Sequence, residues 1–200
     1  MKKDAQFKEG EVLLINKPLH WTSFQVVNKL RWLIKRKLGV KNVKVGHAGT
    51  LDPLATGLII ICTGKKTKEI NQYQAAEKEY IATLKLGATT PSFDGETAEN
   101  YFYSTKHLTL EFITEICASF IGEINQFPPI FSAVKIKGKK LYESARRGKE
   151  VEIKPRKIHI NKLQVISVKL PFIRIKVSCS KGTYIRSLAN DIGKALKSGA

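Results

Sequence analysis

Hydrophobic positions change period several times along the chain. Val12 to Ile15 is a short apolar run ending at Lys17-Pro18, which predicts a strand. From Ser23 onward Val27, Leu30, Ile34 and Leu38 recur at three- and four-residue spacing. Thr22 or Ser23 can cap the start and Gly39 the end, so a helix is predicted there. Leu58 to Cys62 reads as a buried strand, and Glu79 to Leu86 alternates, with Tyr80, Ala82, Leu84 and Leu86 on one face. Helical spacing returns from Leu110 to Phe120, closed by Gly122. Phe131 to Lys137 predicts a strand, a Lys137-Gly138 turn follows, and Leu141 to Arg147 predicts a short helix closed by Gly148. Phe172 to Val177 alternates between Ile173, Ile175 and Val177 on one side and Arg174 and Lys176 on the other, as in a sheet with one wet face. Thr183 to Lys197 carries an apolar stripe of Ile185, Leu188, Ala189, Ile192 and Leu196. Strands and helices mix without a strict strand-helix-strand rhythm, which predicts an α+β fold on a mixed, mostly antiparallel sheet flanked by helices. No internal repeat is visible.

Composition changes this picture chiefly through charge. Two hundred residues fit one domain, or one with a small appendage, and 42% hydrophobic with 26% charged residues excludes a collagen-like, low-complexity or disordered chain. Lys and Arg number 35 against 17 Asp and Glu, a net charge of +18, so a polyanionic partner is expected: nucleic acid first, an anionic membrane surface second. Between Lys135 and Lys162 eleven Lys or Arg face three Glu, either a solvated surface or a phosphate-binding stretch. Cys62, Cys117 and Cys179 are too scattered for a disulfide framework or a zinc site. The N-terminus does not read as a secretory signal, and the longest apolar run falls far short of the roughly 20 residues that span a bilayer. A cytoplasmic setting, with no membrane partner, is expected.

Candidate chemistry concentrates in Gly46 to Gly57, GHAGTLDPLATG. Three glycines open backbone conformations closed to other residues, while Pro53 fixes its own φ and pushes Asp52 out of the α region. Asp52 thus sits on a stiffened loop and is the only acidic residue between Glu11 and Glu69. An ionised carboxylate among cations can serve as nucleophile or base, although an Asp-Pro turn with glycines is also simply a tight loop. A Walker loop fails on spacing, since six residues separate Gly57 from Gly64 and Lys66 follows Lys65. No dinucleotide fingerprint follows a strand, and no Ser/His/Asp set is forced by spacing.

These residues carry a resemblance. GHAGTLDPLATG, the apolar strand after it and Gly64-Lys65-Lys66-Thr67-Lys68 closely resemble the TruB-type tRNA pseudouridine synthases. The resemblance extends to Asn16-Lys17-Pro18, Thr22-Ser23, Glu77-Lys78-Glu79-Tyr80, Phe127 to Lys135, Tyr142 to Gly148, and Lys181 to Leu188, in the family's order over nearly the whole chain. It implies a pseudouridine-synthase-like catalytic domain over residues 1–200. That domain would isomerise the uridine at tRNA position 55, in the T-loop, without cofactor, metal or obligate protein partner. It also implies roles. Asp52 corresponds to the essential aspartate, its target being ribose C1′, uracil C6 or the 2′ proton of an elimination route. Tyr80 corresponds to a tyrosine that stacks on the uracil and acts on the proton leaving C5, and Arg186 to an arginine that pairs with the aspartate. The target base must be extruded from the tRNA elbow, and His47 matches the histidine that fills the vacated stacking position. Lys17, Lys68 and Tyr184 match RNA-binding positions near the pocket. The basic stretch from Lys135 to Lys162 is expected to touch the T-arm backbone.

Three departures accompany the match. Ala48 stands where Thr or Ser is usual, and ATTPSFDGE after Gly87 is compressed and receives no role. The sequence stops at Ala200, where the family normally continues into a further strand and usually a C-terminal RNA-binding domain of the PUA type. A truncated catalytic domain lacking that appendage is therefore expected. The competing readings are a catalytically silent tRNA-binding or chaperone protein on the same scaffold, and a guide-dependent synthase within a larger particle.

Overall fold

The computed structural model describes residues 2–132, 135–136, 139–140 and 153–200. The chain divides into two compact units, Met1–Ala76 and Glu77–Ala200. Among the described residues no helix is long and apolar enough to cross a membrane.

Unit 1 runs α1 (Lys2–Glu9), β1 (Val12–Lys17), α2 (Ser23–Leu38), β2 (Val45–His47), β3 (Gly57–Thr63), a 3-10 turn (Gly64–Glu69) and α3 (Ile70–Ala75). β3 is central in an antiparallel sheet of order β1-β3-β2. α2 starts where the sequence predicts, because Thr22 accepts the Gln25 N–H while the Gln25 side chain takes the Thr22 N–H in a capping box. It stops at Gly39, whose φ of 61° lets its N–H turn back to the Lys35 carbonyl. The register pairs Leu13 with Ile61 and Ile15 with Ile59, so one sheet face meets Val26, Val27 and Ile34 of α2 in a common core. Each fully buried aliphatic side chain there contributes roughly 1.5–3 kcal/mol. Ile59 and Ile61 of β3 are buried on that face, and on the other the strand is buried at its far end, where Cys62 is 0% exposed, but not at its start. Leu58 lies on the other and is 62% exposed, because the strand's period of two sends it away from α2.

Two glycines interlock α1 with the 3-10 turn. A Cβ on Gly64 (φ +50°) would lie 2.2 Å from the Lys8 carbonyl oxygen, and one on Gly10 (φ +129°) 2.6 Å from the Lys66 nitrogen. Gly39 needs a positive φ too, but nothing lies within 4 Å of its missing Cβ. Gly39→Ala is therefore expected to cost only the left-handed penalty, about 1–2 kcal/mol. Gly64→Ala adds a backbone clash, for about 3 kcal/mol in all, or a melting midpoint lower by roughly 6–12 °C. Thermal melts of the two variants check this, and equal losses would contradict the interlock.

Unit 2 holds β4 (Lys78–Lys85), β5 (Ala88–Thr89), β6 (Tyr101–Phe102), α4 (Leu110–Ala118), β7 (Gly122–Gln126), β8 (Lys135–Ile136), β9 (Lys139–Lys140), β10 (Arg156–Lys169), β11 (Phe172–Cys179) and α5 (Ile185–Ala195). Its main sheet is fully antiparallel, in the order β4-β11-β10-β7. Leu84 on β4, Ile173, Ile175 and Val177 on β11, and Ile158 and Ile160 on β10 share one core with Ile113 of α4 and Leu188 and Ile192 of α5. The alternation read at β4 and β11 is the observed one. β10, the longest strand, has no counterpart in the sequence reading. Register shifts between Ile160 and Lys162 and between Val165 and Ser167 reset its inward positions from Ile158 and Ile160 to Leu163 and Val165, then to Val168. Within the predicted strand Phe131 to Lys137, only Lys135–Ile136 is strand among the described residues, and it pairs with Lys139–Lys140. The predicted turn at Lys137-Gly138 and the helix Leu141 to Arg147 with Gly148 lie outside the described residues.

Candidate active site

Asp52, His47, Lys17 and Lys68 belong to unit 1, and Tyr80, Tyr184 and Arg186 to unit 2. In unit 1 the loop carrying Asp52 is anchored on both sides of that residue. Before it, Ser23, the first residue of α2, donates from Oγ to the Leu51 carbonyl (3.0 Å) and accepts the Leu51 N–H (2.9 Å). After it, the Pro53 carbonyl accepts from the His20 N–H (2.8 Å) and from Lys17 Nζ (3.4 Å). The Asp52 carbonyl closes a turn with the Ala55 N–H (3.0 Å). The half-buried Asp52 carboxylate thus rides on a backbone fixed at both neighbours, the stiffened loop expected from Pro53 and the glycines.

Lys17 departs from its expected part. It is 0% exposed, and its ammonium donates to the carbonyls of Pro18 (2.8 Å), Trp21 (2.6 Å) and Pro53 (3.4 Å). Burial pushes its pKa down, while the Asp52 charge opposes the shift. Through these contacts Lys17 ties the 18–21 turn to the Asp52 loop. Lys17 and Ser23, from the early motifs Asn16-Lys17-Pro18 and Thr22-Ser23, are therefore supports of that loop.

His47, at the end of β2, donates from Nδ1 to the Gly49 carbonyl (2.6 Å). A carbonyl only accepts, so this contact puts the proton on Nδ1 and fixes the ring orientation. Lys68 is exposed on the 3-10 turn.

In unit 2, Tyr80 lies on β4 opposite Val177 and packs against the core. Arg186, in the first turn of α5, donates from Nη1 to the Ser92 carbonyl (2.9 Å) and from Nη2 to the Phe131 carbonyl (3.2 Å). Its Nε lies 3.5 Å from Asp94 Oδ2, the two side chains being 13% and 15% exposed. Asp94 sits in the segment ATTPSFDGE, to which the sequence reading gave no role, and is the residue that reading missed. Tyr184 is held through its backbone: the buried Gln126 amide accepts its N–H (2.8 Å) and donates to its carbonyl (3.0 Å), setting the start of α5.

The remaining candidate groups are not primed for chemistry. Burial pushes the thiols of Cys62, Cys117 and Cys179 up, Cys117 to about 11, so none is an activated nucleophile. Among the described residues no group of three His, Cys, Asp or Glu is placed to hold a metal ion.

Comparison with known proteins gives one consistent family. The model of the TruB family pseudouridylate synthase, N terminal domain, matches residues 35–185. The chain is 60% identical to tRNA pseudouridine synthase B of Phocaeicola vulgatus over 194 residues, covering 97% of this chain and 83% of the relative. It is 54% identical to tRNA pseudouridine synthase B of Flavobacterium johnsoniae over 196 residues, 98% of this chain and 86% of that one. Among solved structures it resembles a chain in the crystal structure of a Cbf5-Nop10-Gar1 complex, with a TM-score of 0.68 and 29% identity over 96% of this chain. It spans 46% of the length of that larger chain.

Proposed function

The chain belongs to the TruB family of pseudouridylate synthases and is an isomerase that forms pseudouridine in tRNA; from that premise we propose that its target is the T-loop uridine at position 55 and that Asp52 is the essential group. Residues 1–200 form the catalytic part, and the reaction takes place in the cytoplasm. The observation that carries this reading is the Asp52 loop. One acidic residue, inside the family-matched segment, sits on a backbone whose neighbours are held by Ser23 at Leu51 and by Lys17 and His20 at Pro53.

The chemistry asks little else of the protein. The bond between N1 and C1′ breaks, the uracil turns over, C5 bonds to C1′, the C5 proton leaves and N1 gains one. Product and substrate are isomers, so no oxidant, reductant or second substrate enters the balance. A carboxylate carried on a backbone fixed at both neighbours reaches the nucleoside with less of the loop left to order. Tyr80 stacks on the uracil and handles the C5 proton. Extruding the base costs a few kcal/mol, and the orientated imidazole of His47 fills the space left in the stack. Arg186 supports the reaction from the start of α5. The basic stretch from Lys135 to Lys162 and the exposed Lys68 contact the T-arm.

A tRNA transcript labelled with tritium at C5 of uridine tests the target. The chain is expected to release close to one equivalent of tritium per tRNA, and none above background from a transcript carrying cytidine at position 55. Release that is indifferent to position 55 would refute the T-loop assignment. Binding without any release would favour a silent tRNA-binding protein.

A further inference from the structure

Outside the Asp52 loop, unit 1 holds a cleft of about 600 Å³, walled by the end of α1, by residues 42–44 and by the 3-10 turn. We propose that this cleft is a groove for the sugar-phosphate backbone of the RNA substrate, with Lys8, Lys44 and Lys65 extending the contact begun by Lys68. The proposal rests on the tRNA reading above.

Four lysines from three separate chain segments line the cleft, Lys8, Lys44, Lys65 and Lys68, and among the described residues no acidic side chain does. The convergence is built into the backbone. Gly64 donates its N–H to the Lys44 carbonyl (2.9 Å), and its missing Cβ admits the Lys8 carbonyl, so the three segments meet at one residue. Lys66, on the same turn, shows how this fold neutralises a lysine: Glu69 takes its ammonium at 2.8 and 2.9 Å. Lys8, Lys44 and Lys68 have no carboxylate partner among the described residues. Lys65 pairs only with Glu9 at 2.9 Å, both side chains mostly exposed, a contact that water and salt weaken and that a phosphate can displace. Like charges within a Debye length of about 8–10 Å repel one another, so gathering them disfavours the free protein and favours whatever polyanion relieves the repulsion. For a tRNA-modifying enzyme of net charge +18, that polyanion is the phosphate backbone.

The test compares two triple variants of the full chain with equal change in charge: Lys8→Gln, Lys44→Gln, Lys65→Gln in the cleft, and Lys37→Gln, Lys106→Gln, Lys169→Gln on exposed positions elsewhere. Dissociation constants for a tRNA transcript are measured from 50 to 300 mM salt, with a thermal melt of each protein. The cleft variant is expected to bind at least about tenfold more weakly at 100 mM salt, with a log K against log salt slope flatter by about 2–3. The control should stay within about twofold of wild type. If the cleft variant matches the control, the groove is refuted. Should the triple variant melt at room temperature, Lys44→Glu alone, on an exposed position, replaces it; at least threefold weaker binding supports the groove and unchanged binding refutes it. Tritium release by the wild type is read in parallel. Absent release with weakened cleft binding would refute the isomerase reading and leave the groove standing, whereas normal release with unchanged cleft binding would do the reverse.

Discussion

Asp52→Asn is expected to lower tritium release from 5-labelled tRNA by at least roughly 10³-fold, about 4 kcal/mol of transition-state stabilisation at 1.36 kcal/mol per tenfold. The substitution is nearly isosteric at a half-buried position. The anchors at its neighbours do not use the carboxylate: Ser23 grips Leu51, Lys17 and His20 grip Pro53, and the turn to Ala55 is backbone to backbone. The melting midpoint is measured alongside, and a shift of no more than about 3 °C, roughly 1 kcal/mol for a chain of this size, keeps the loss of turnover a chemical one. Binding of tRNA should persist, because a neutral amide in place of one carboxylate removes no cation from a chain of net charge +18. Lost turnover with retained fold and binding would isolate the chemical role of Asp52. Retention of more than about a tenth of wild-type release would remove it from the reaction.

How far the sequence discloses this site depends on whether the cause is local. The restraint that Pro53 places on its own φ and on Asp52 is local, and it is legible. The anchors on that loop are partly so, since Asn16-Lys17-Pro18 and Thr22-Ser23 stand out as motifs. Which way Lys17 points is a tertiary fact: a lysine in a basic chain reads as a surface cation until three carbonyls are seen around its ammonium. Strands β4 and β11 are legible because each keeps one phase of period two from end to end. β10 breaks phase twice at its bulges, and a fixed period of two scores such a strand as irregular. Asp94 is the least legible of all. Its segment has no periodicity, and only the folded chain brings it beside Arg186.

That pair supports the second large effect, at Arg186. Among the described residues of unit 2 its guanidinium meets the Ser92 carbonyl, the Phe131 carbonyl and the Asp94 carboxylate. A planar fork can serve three acceptors in different directions, while an ammonium on a lysine stem cannot reproduce that geometry. Arg186→Lys therefore keeps the charge and loses the fork. It is expected to lower the isomerisation rate by roughly 10²-fold, in kcat more than in KM, and to lower the melting midpoint by only a few degrees. Arg186→Met leaves the largely buried Asp94 carboxylate without its cation and with the Glu96 N–H (3.0 Å) as its remaining donor here, a situation that costs up to about 3–5 kcal/mol, or a midpoint lower by as much as roughly 6–20 °C. Pairing Arg186→Met with Asp94→Asn removes the stranded charge. The double variant should recover at least half of the lost stability and none of the lost activity, because stability here follows the compensation of Asp94 and turnover follows the guanidinium itself. Equal melting of the single and double variants would show that Asp94 and Arg186 are not energetically coupled, and recovery of turnover in the double variant would show that Arg186 acts only by neutralising its neighbour.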